Sequence, residues 1–238
     1  MQPDATAVPL PSGIQVWQID LSHVDVDALQ AARSVLSMDE QARLARFHRE
    51  QDRKRFAVSR AALRLLLAER LHCAPPDIVF AAGPYGKLSV AASEGASAPF
   101  FNLSHSGDFV LIALSETGEI GIDIEYRDPE LDVGSIVSQV LSEQERCSEQ
   151  IRPLDFFARW VGKEAALKAL GVGVGEHLQA LSVESSDDGA YRLSHTRSDW
   201  AGISAWQLAS PPGYAAAVAL VSVAVSVPVC VPVSVSAH

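Results

Sequence analysis

The sequence has little cysteine, and its three cysteines, Cys73, Cys147 and Cys230, are widely spaced and form no C-x-x-C pair. An odd number of isolated cysteines argues against a disulfide framework and against a cysteine zinc site. The N-terminus also lacks the positive start and the apolar core of a signal peptide. A reducing cytoplasm therefore fits the composition best.

The chain has no excess of positive charge, because its formal net charge is -10 over 238 residues. Broad affinity for nucleic acid or for anionic membranes is therefore not expected, and any anion site must be local. The motifs G-x-S-x-G and H-E-x-x-H, a P-loop and a dinucleotide-binding glycine pattern are absent as well. These absences argue against a serine hydrolase, a zinc protease and the common nucleotide-binding folds.

No Asp, Glu, Lys or Arg follows Asp199, and the uncharged run 215–235 is long enough to raise the question of a membrane helix. Valine occupies every odd position from Val221 to Val235, which is a strand-like period, and Pro228 and Pro232 interrupt it. We expect no membrane span here. Residues 224–238 are predicted to form an irregular, valine-rich tail.

Basic residues are concentrated between Ser37 and His72. Ser37 and Glu40 have the spacing of a capping box, so a helix is predicted to begin there, and S-R-A-A-L-R-L-L-L continues as a helix. The cations form either a solvated helix face or a local surface for phosphates or an acidic protein.

Three short strands with tight turns between them follow this helix. Their sequences, F-F-N-L-S, F-V-L-I-A-L-S and E-I-G-I-D-I-E, predict an antiparallel meander.

A second helical region is predicted from about Leu141 to Leu170, again followed by strands. R-F-A-V-S-R-A-A-L-R-L-L, from Arg55, matches R-W-V-G-K-E-A-A-L-K-A-L, which begins 104 residues later. Phe101-Asn-Leu matches a segment 105 residues later, and Ala113-Leu matches one 106 residues later. An internal duplication is therefore predicted.

The predicted fold class is α+β, with two similar α/β halves related by a pseudo-twofold. Each half has a small antiparallel sheet packed on a long helix, and the active site lies in the cleft between them. We expect an N-terminal half over 1–126, a C-terminal half over 127–223 and the tail over 224–238. Because the duplication supplies the second half internally, we expect a monomer.

Alternation in G-I-D-I-E places Asp123 and Glu125 on one face of a strand and Ile122 and Ile124 on the other. Two close carboxylates repel each other, and a hard divalent cation such as Mg²⁺ relieves the repulsion. The same alternation is also typical of a half-exposed strand with an acidic outer face. The pentapeptide alone leaves both interpretations open.

The helix W-V-G-K-E-A-A-L-K places Glu164 and Lys168 four residues apart on one face, as in a site or in an ordinary exposed ion pair. Lys163 receives no role, and its charge is expected to face water.

Ser104 and His105 end a strand beside a glycine turn. There they form either a structural pair or, with Lys87 of Y-G-K, a phosphate site.

Taken together, F-N-L-S-H-S-G, G-I-D-I-E and W-V-G-K-E-A-A-L-K resemble the 4′-phosphopantetheinyl transferases. The resemblance is to the pseudo-dimeric class typified by the enzyme that activates surfactin synthetase, and it extends from about Ser37 to Leu220. It implies Mg²⁺-dependent transfer of phosphopantetheine from coenzyme A to a serine of an apo acyl or peptidyl carrier protein, with release of adenosine 3′,5′-bisphosphate. The alternative is a non-catalytic module of the same fold that binds coenzyme A or a carrier protein.

The resemblance also implies roles for individual residues. Asp123, Glu125 and Glu164 correspond to the metal ligands, Glu164 is the candidate base, directly or through a metal-bound water, and Lys168 is the group that stabilises charge on the pyrophosphate. Asp123, Glu164 and Lys168 are the catalytic set. The residues expected to hold coenzyme A are Arg43, Arg55, Tyr85, Gly86, Lys87, Ser104, His105, Asp123, Glu164 and Lys168.

Overall fold

The computed structural model describes residues 10–91, 98–147, 155–186 and 189–222. The helices are α1 Val26–Ser34, α2 Met38–Leu44, α3 Glu50–Leu71, α4 Val133–Val140, α5 Glu143–Cys147, α6 Phe156–Leu170 and α7 Val174–His177. The strands are β1 Ile14–Asp20, β2 Phe80–Ala82, β3 Leu88–Val90, β4 Phe100–Ser106, β5 Phe109–Ser115, β6 Gly118–Tyr126, β7 Leu181–Ser185, β8 Ala190–His195, β9 Ile203–Gln207 and β10 Tyr214–Ser222. The predicted α+β class is confirmed.

The first sheet has the order β1-β5-β4, and all its pairs are antiparallel. Alternate residues of β5, Val110, Ile112 and Leu114, pack with Leu63 and Leu67 of α3 in one buried cluster. The period of two in the strand and the apolar stripe of the helix meet at this face. The short hairpin β2-β3 lies beside this half.

The second sheet has the order β6-β10-β9-β8-β7, again antiparallel throughout. Ala215, Ala217 and Ala219 of β10 face α6, and small side chains at these positions bring the helix close to the sheet. The opposite face of β10 joins Ile122 and Ile124 of β6 in a further apolar cluster that connects the two sheets. Each sheet therefore has a helix on its outer face and the other sheet on its inner face.

The predicted three-stranded meander is wrong in its last strand. β4 and β5 pair as expected, but β6 pairs with β10 instead of β5. Its backbone hydrogen bonds thus lie in the second sheet, although the predicted boundary at Tyr126 assigns it to the first half. The division into 1–126, 127–223 and 224–238 stays a prediction, and the tail lies outside the described residues.

The internal duplication is visible in the packing, with one correction. In the helices the spacing of 104 residues aligns buried positions, such as Ala61 with Ala165. In the strands the matched residues lie on opposite faces: Ala113 packs between the sheets, whereas Ala219 faces α6. A slip of one residue reverses every side chain of a strand, so the strand alignment made from sequence is off by one.

Each half also contains a helix that begins with a capping box. Ser37 and Glu40 form the predicted capping box at the start of α2. Ser142 and Glu145 form a second one, in which Ser142 N donates to Glu145 Oε2 at 2.8 Å and Glu145 N donates to Ser142 Oγ at 3.1 Å. The second box was not predicted, and it adds a further pair of equivalent positions to the duplication.

Strand β1 and helix α1 were not predicted from the sequence either. β1 has a half-buried pattern and α1 has no buried residue, so neither has a strong apolar repeat. Within the described residues, no helix combines the length and the apolar character that a membrane crossing needs.

Candidate active site between β6 and α6

The candidate site begins with the close approach of α6 to β6. Gly121 faces the helix, and a Cβ atom built on it would overlap the backbone oxygen of Ala165 and the backbone nitrogen of Ala169. Only glycine permits this separation. The next two residues of β6 on the same face, Asp123 and Glu125, are thereby brought against the polar side chains of α6.

Asp123, Glu125 and Glu164 form a compact carboxylate cluster. One oxygen of each lies within 4.8 Å of the others. Burial raises the pKa of Asp123 to about 7 despite the opposing effect of Lys168, and burial also raises the pKa of Glu125. Burial therefore disfavours the charged forms of Asp123 and Glu125.

Lys168 supplies the positive charge within this cluster. Its Nζ lies 2.6 Å from Asp123 Oδ1 and 3.3 Å from Glu164 Oε2. Burial disfavours the charged ammonium, but the two carboxylates outweigh this effect, and the pKa of Lys168 is raised. The lysine stays charged and holds one oxygen of each carboxylate in place.

Other side chains orient the same carboxylates. Ser104 Oγ donates to Asp123 Oδ1 at 2.8 Å, and Ser106 Oγ donates to Glu125 Oε2 at 3.0 Å. Trp160 Nε1 donates to Glu164 Oε1 at 2.6 Å. Ser106 and Trp160 were not selected from the sequence, although Trp160 belongs to the motif that contains Glu164 and precedes it by one helical turn.

The donor set fits a hard divalent cation. All three side chains offer carboxylate oxygens, which Mg²⁺ and similar ions prefer. Asp123 Oδ2 is buried and has no hydrogen-bond partner within the part of the chain that the structure describes. A buried carboxylate oxygen without a donor is costly, and a bound cation would satisfy it.

Successive strand residues point to opposite faces, so His105 faces away from Ser104, and basic side chains of α2 and α3 lie near it. Arg43, Arg55 and His105 line one cavity of about 350 Å³. Arg60, which the spacing of 104 residues aligns with Glu164, lines it too. Its Nη1 is buried without a partner among the described residues, so it is a further candidate anion contact.

Gly86 and Lys87 line an adjoining cavity of about 240 Å³, which also includes Arg43 and Arg60. Tyr85 does not join them, because its side chain is exposed and its ring lies against Gly173. The expected residues are therefore divided between two adjoining cavities and the carboxylate cluster, with Tyr85 apart.

Lys163 contradicts its sequence-based expectation, because its side chain is fully buried rather than facing water. Its Nζ lies 2.5 Å from Glu145 Oε2 and donates to the backbone oxygens of Val140, at 2.7 Å, and Leu178, at 3.1 Å. A buried ammonium requires such partners. Lys163 thus joins α6 to the end of α4 and the start of α5.

Two family models match the chain. One, described as the 4′-phosphopantetheinyl transferase superfamily, matches residues 119–219, and the other, described as the N-terminal part of 4′-phosphopantetheinyl transferase, matches residues 24–117. The two matches meet at Gly118, where β6 begins. The division between the family models therefore agrees with the sheet to which β6 belongs.

Individual relatives agree with the family models. A putative 4′-phosphopantetheinyl transferase of Synechocystis sp. is 37% identical over 67% of this chain and 65% of its own length, which is just under two thirds. The 4′-phosphopantetheinyl transferase HetI of Nostoc sp. is 34% identical over 70% of this chain and 72% of its own. The 4′-phosphopantetheinyl transferase ffp of Bacillus subtilis is 29% identical over 71% and 74%.

Proposed function

The chain belongs to the 4′-phosphopantetheinyl transferase superfamily, and we propose that it transfers 4′-phosphopantetheine from coenzyme A to a serine hydroxyl of an acyl or peptidyl carrier protein. The observation that carries this proposal is the carboxylate cluster of Asp123, Glu125 and Glu164 around Lys168, next to cavities lined by cations. Such a combination suits a pyrophosphate that must be held and cleaved.

In the proposed reaction the serine oxygen forms a bond to the phosphorus that carries the pantetheine arm. The bond from that phosphorus to the bridging oxygen of the pyrophosphate breaks, and adenosine 3′,5′-bisphosphate leaves with the electron pair. Glu164 accepts the serine proton, and its orientation by Trp160 supports this assignment. Lys168 offsets negative charge on the pyrophosphate as the bond breaks.

The metal ligands in this proposal are Asp123, Glu125 and Glu164, and the ion is Mg²⁺. A bound Mg²⁺ would neutralise charge on the pyrophosphate oxygens and on the leaving group. Ser104 and Ser106 hold Asp123 and Glu125 in the orientation that the ligands need.

The nucleotide end of coenzyme A is proposed to occupy the two adjoining cavities beside β4. Arg43, Arg55 and His105 line one cavity and Lys87 lines the next, so phosphates could be contacted along a continuous path. Arginine guanidinium groups suit phosphate because they offer several donors in a fixed plane. Arg60 joins this set because of its unpaired Nη1.

The remaining parts of the proposal concern the state of the protein. We expect a cytoplasmic monomer that acts on an apo carrier protein and has no nucleic acid or membrane partner. The internal duplication supports the monomer, and the overall acidity counts against broad binding to polyanions. Sedimentation at several protein concentrations tests the monomer.

The activity is tested by incubating the protein with coenzyme A, Mg²⁺ and several apo carrier proteins and then weighing each carrier. A mass increase by one phosphopantetheine supports the enzyme. The same assay with coenzyme A omitted and with Mg²⁺ removed by a chelator should give no increase.

A non-catalytic binding module of the same fold is the competing function. Such a protein would bind coenzyme A or a carrier protein in calorimetry but would leave every carrier at its original mass. The three converging carboxylates favour the enzyme, because a binding module has no need for a partly buried cluster of like charges.

A further inference from the structure

Carboxylates already pair with three of the candidate phosphate-binding cations, Arg55, Arg60 and Lys87. Arg55 Nη1 lies 3.3 Å from Asp52, Arg60 Nε lies 3.2 Å from Glu40, and Lys87 Nζ lies 2.6 Å from Glu119. An incoming anion must compete with these internal counter-ions. The Lys87 pair differs from the others because it joins the β2-β3 hairpin of the first half to β6 of the second sheet.

Lys87 lies at the tip of the β2-β3 hairpin, next to a turn in which Gly86 has a positive φ of 79°. The turn is closed by Gly83 N, which donates to Lys87 O at 2.8 Å. From this tip Nζ reaches Glu119 of β6 and also donates to Ala169 O of α6 at 3.2 Å. The hairpin of the first half is therefore fastened to the strand and the helix that carry the carboxylate cluster.

Glu119 lies outside the carboxylate cluster, although it is on the same strand. By alternation it shares a face of β6 with Asp123 and Glu125, with Gly121 between them. Its side chain is 47% exposed, whereas that of Lys87 is 18% exposed. Water can therefore solvate Glu119 when the pair separates, while Lys87 remains at the wall of the cavity.

We propose that Glu119 is a competing counter-ion that Lys87 exchanges for a phosphate of the substrate, so that Glu119 lowers the affinity for both coenzyme A and the nucleotide product. The identity of the ligand rests on the proposed function. A lysine suits such an exchange because its ammonium is a point charge on a flexible stem, which can turn between two partners without matching a fixed geometry.

The exchange has a kinetic consequence. Because the product keeps phosphates that Lys87 can hold, a competitor within the protein shortens the time for which the product stays bound. Restoring the Lys87–Glu119 pair compensates for the phosphate contact that is lost on release. Glu119 thus acts through Lys87 as a positioning residue rather than as a catalytic one.

Calorimetry with coenzyme A and with adenosine 3′,5′-bisphosphate, without a carrier protein, measures the effect directly. Glu119→Gln is expected to tighten both ligands by about two- to fivefold, the range that a partly exposed ion pair allows. Glu116→Gln is the matched control, because Glu116 is exposed in the turn before β6 and its loss changes the net charge equally. It should leave both affinities nearly unchanged.

Coupling to Lys87 completes the test. In Lys87→Met, the additional change Glu119→Gln should have no effect, since the competitor then has no cation to hold. Equal tightening by Glu116→Gln and Glu119→Gln, or any weakening by Glu119→Gln, overturns the inference, and so does tightening that persists in Lys87→Met. A wild-type protein that binds neither ligand would overturn the proposed function as well, so the two failures are distinguishable.

Discussion

The two halves put opposite chemistry at the same point between helix and sheet. In the first half, Trp17 and Ile19 of the outermost strand β1 pack into the core beneath α3. In the second half, Asp123 and Glu125 of the outermost strand β6 face α6. The two helices also differ at the equivalent position, where α3 has Arg60 and α6 has Glu164.

The difference shows how one fold supports either stability or chemistry. An apolar pair at this interface stabilises the fold by leaving water. A carboxylate pair at the same interface loses hydration, and the raised pKa values of Asp123 and Glu125 report this cost. Lys168 of the second half balances part of it, and so do Ser104 and Ser106, which lie on β4 of the first sheet.

Breaking the buried pair of the second half should have the largest effect on stability. Lys163→Met leaves the Glu145 carboxylate buried, with hydrogen bonds from Ser142 N and Val183 N but with Arg159, at 3.5 Å, as the remaining cation among the described residues. We therefore expect a loss of about 3–5 kcal/mol in the free energy of unfolding. Urea denaturation measures it. Arg60→Met is the matched variant in the first half, where Glu40 keeps Arg64, so its cost should be much smaller. Equal costs would contradict the contrast between the halves.

Removing one carboxylate should abolish the chemistry without unfolding the protein. Asp123→Asn keeps the shape of the side chain but loses a negative charge, and we expect phosphopantetheine transfer to fall by at least about a hundredfold. The mass-based carrier assay measures the rate, and circular dichroism checks the fold. The control is Asp20→Asn in β1, outside both cavities, which should transfer at the normal rate. Near-normal transfer by Asp123→Asn would mean that the metal site is misassigned.

Filling the space at Gly121 should push α6 away from β6. Gly121→Ala places a Cβ against helix backbone, which cannot rotate away, so we expect a loss of up to about 3 kcal/mol in unfolding free energy. Transfer should fall with it, as Lys168 and Glu164 move from Asp123. Gly175→Ala, where a Cβ meets open space, is the control and should change the unfolding free energy by less than about 0.5 kcal/mol.

The smallest expected effect is the difference in stability between variants of the two capping boxes. Ser37→Ala and Ser142→Ala each remove one cap, worth about 1 kcal/mol. Ser142 is 5% exposed and also lies 2.7 Å from Ser182 Oγ, so its loss leaves a buried hydroxyl without that partner. Thermal unfolding of the two variants should therefore rank Ser142→Ala as the less stable. The reverse order would show that burial does not decide the strength of the cap.

Several elements could be predicted because their determinants are local in the chain. The capping box at Ser37 needs only two residues three apart. The shared face of Asp123 and Glu125 follows from the period of a strand. Gly121 also carried a usable signal, since a glycine within a strand indicates close backbone approach.

Other features depended on partners that are distant in sequence. Lys163 is buried because the ends of α4 and the segment after α7 cover it, at Val140 and Leu178. Strand β6 is not part of the predicted meander because it pairs with β10, which begins almost ninety residues after β6 ends. Neither partner is visible in the local pattern.

The sequence by itself determined the duplication, the three motifs and the face on which each carboxylate lies, because these depend on residue type and short-range period. Only the tertiary structure decided that Asp123, Glu125 and Glu164 meet and that Lys163 is buried, and it also set the true register of the repeated strands. Each of these depends on packing between segments far apart in the chain. In such packing, a shift of one residue moves every side chain of a strand to the opposite face, and one added Cβ forces a helix away from its sheet.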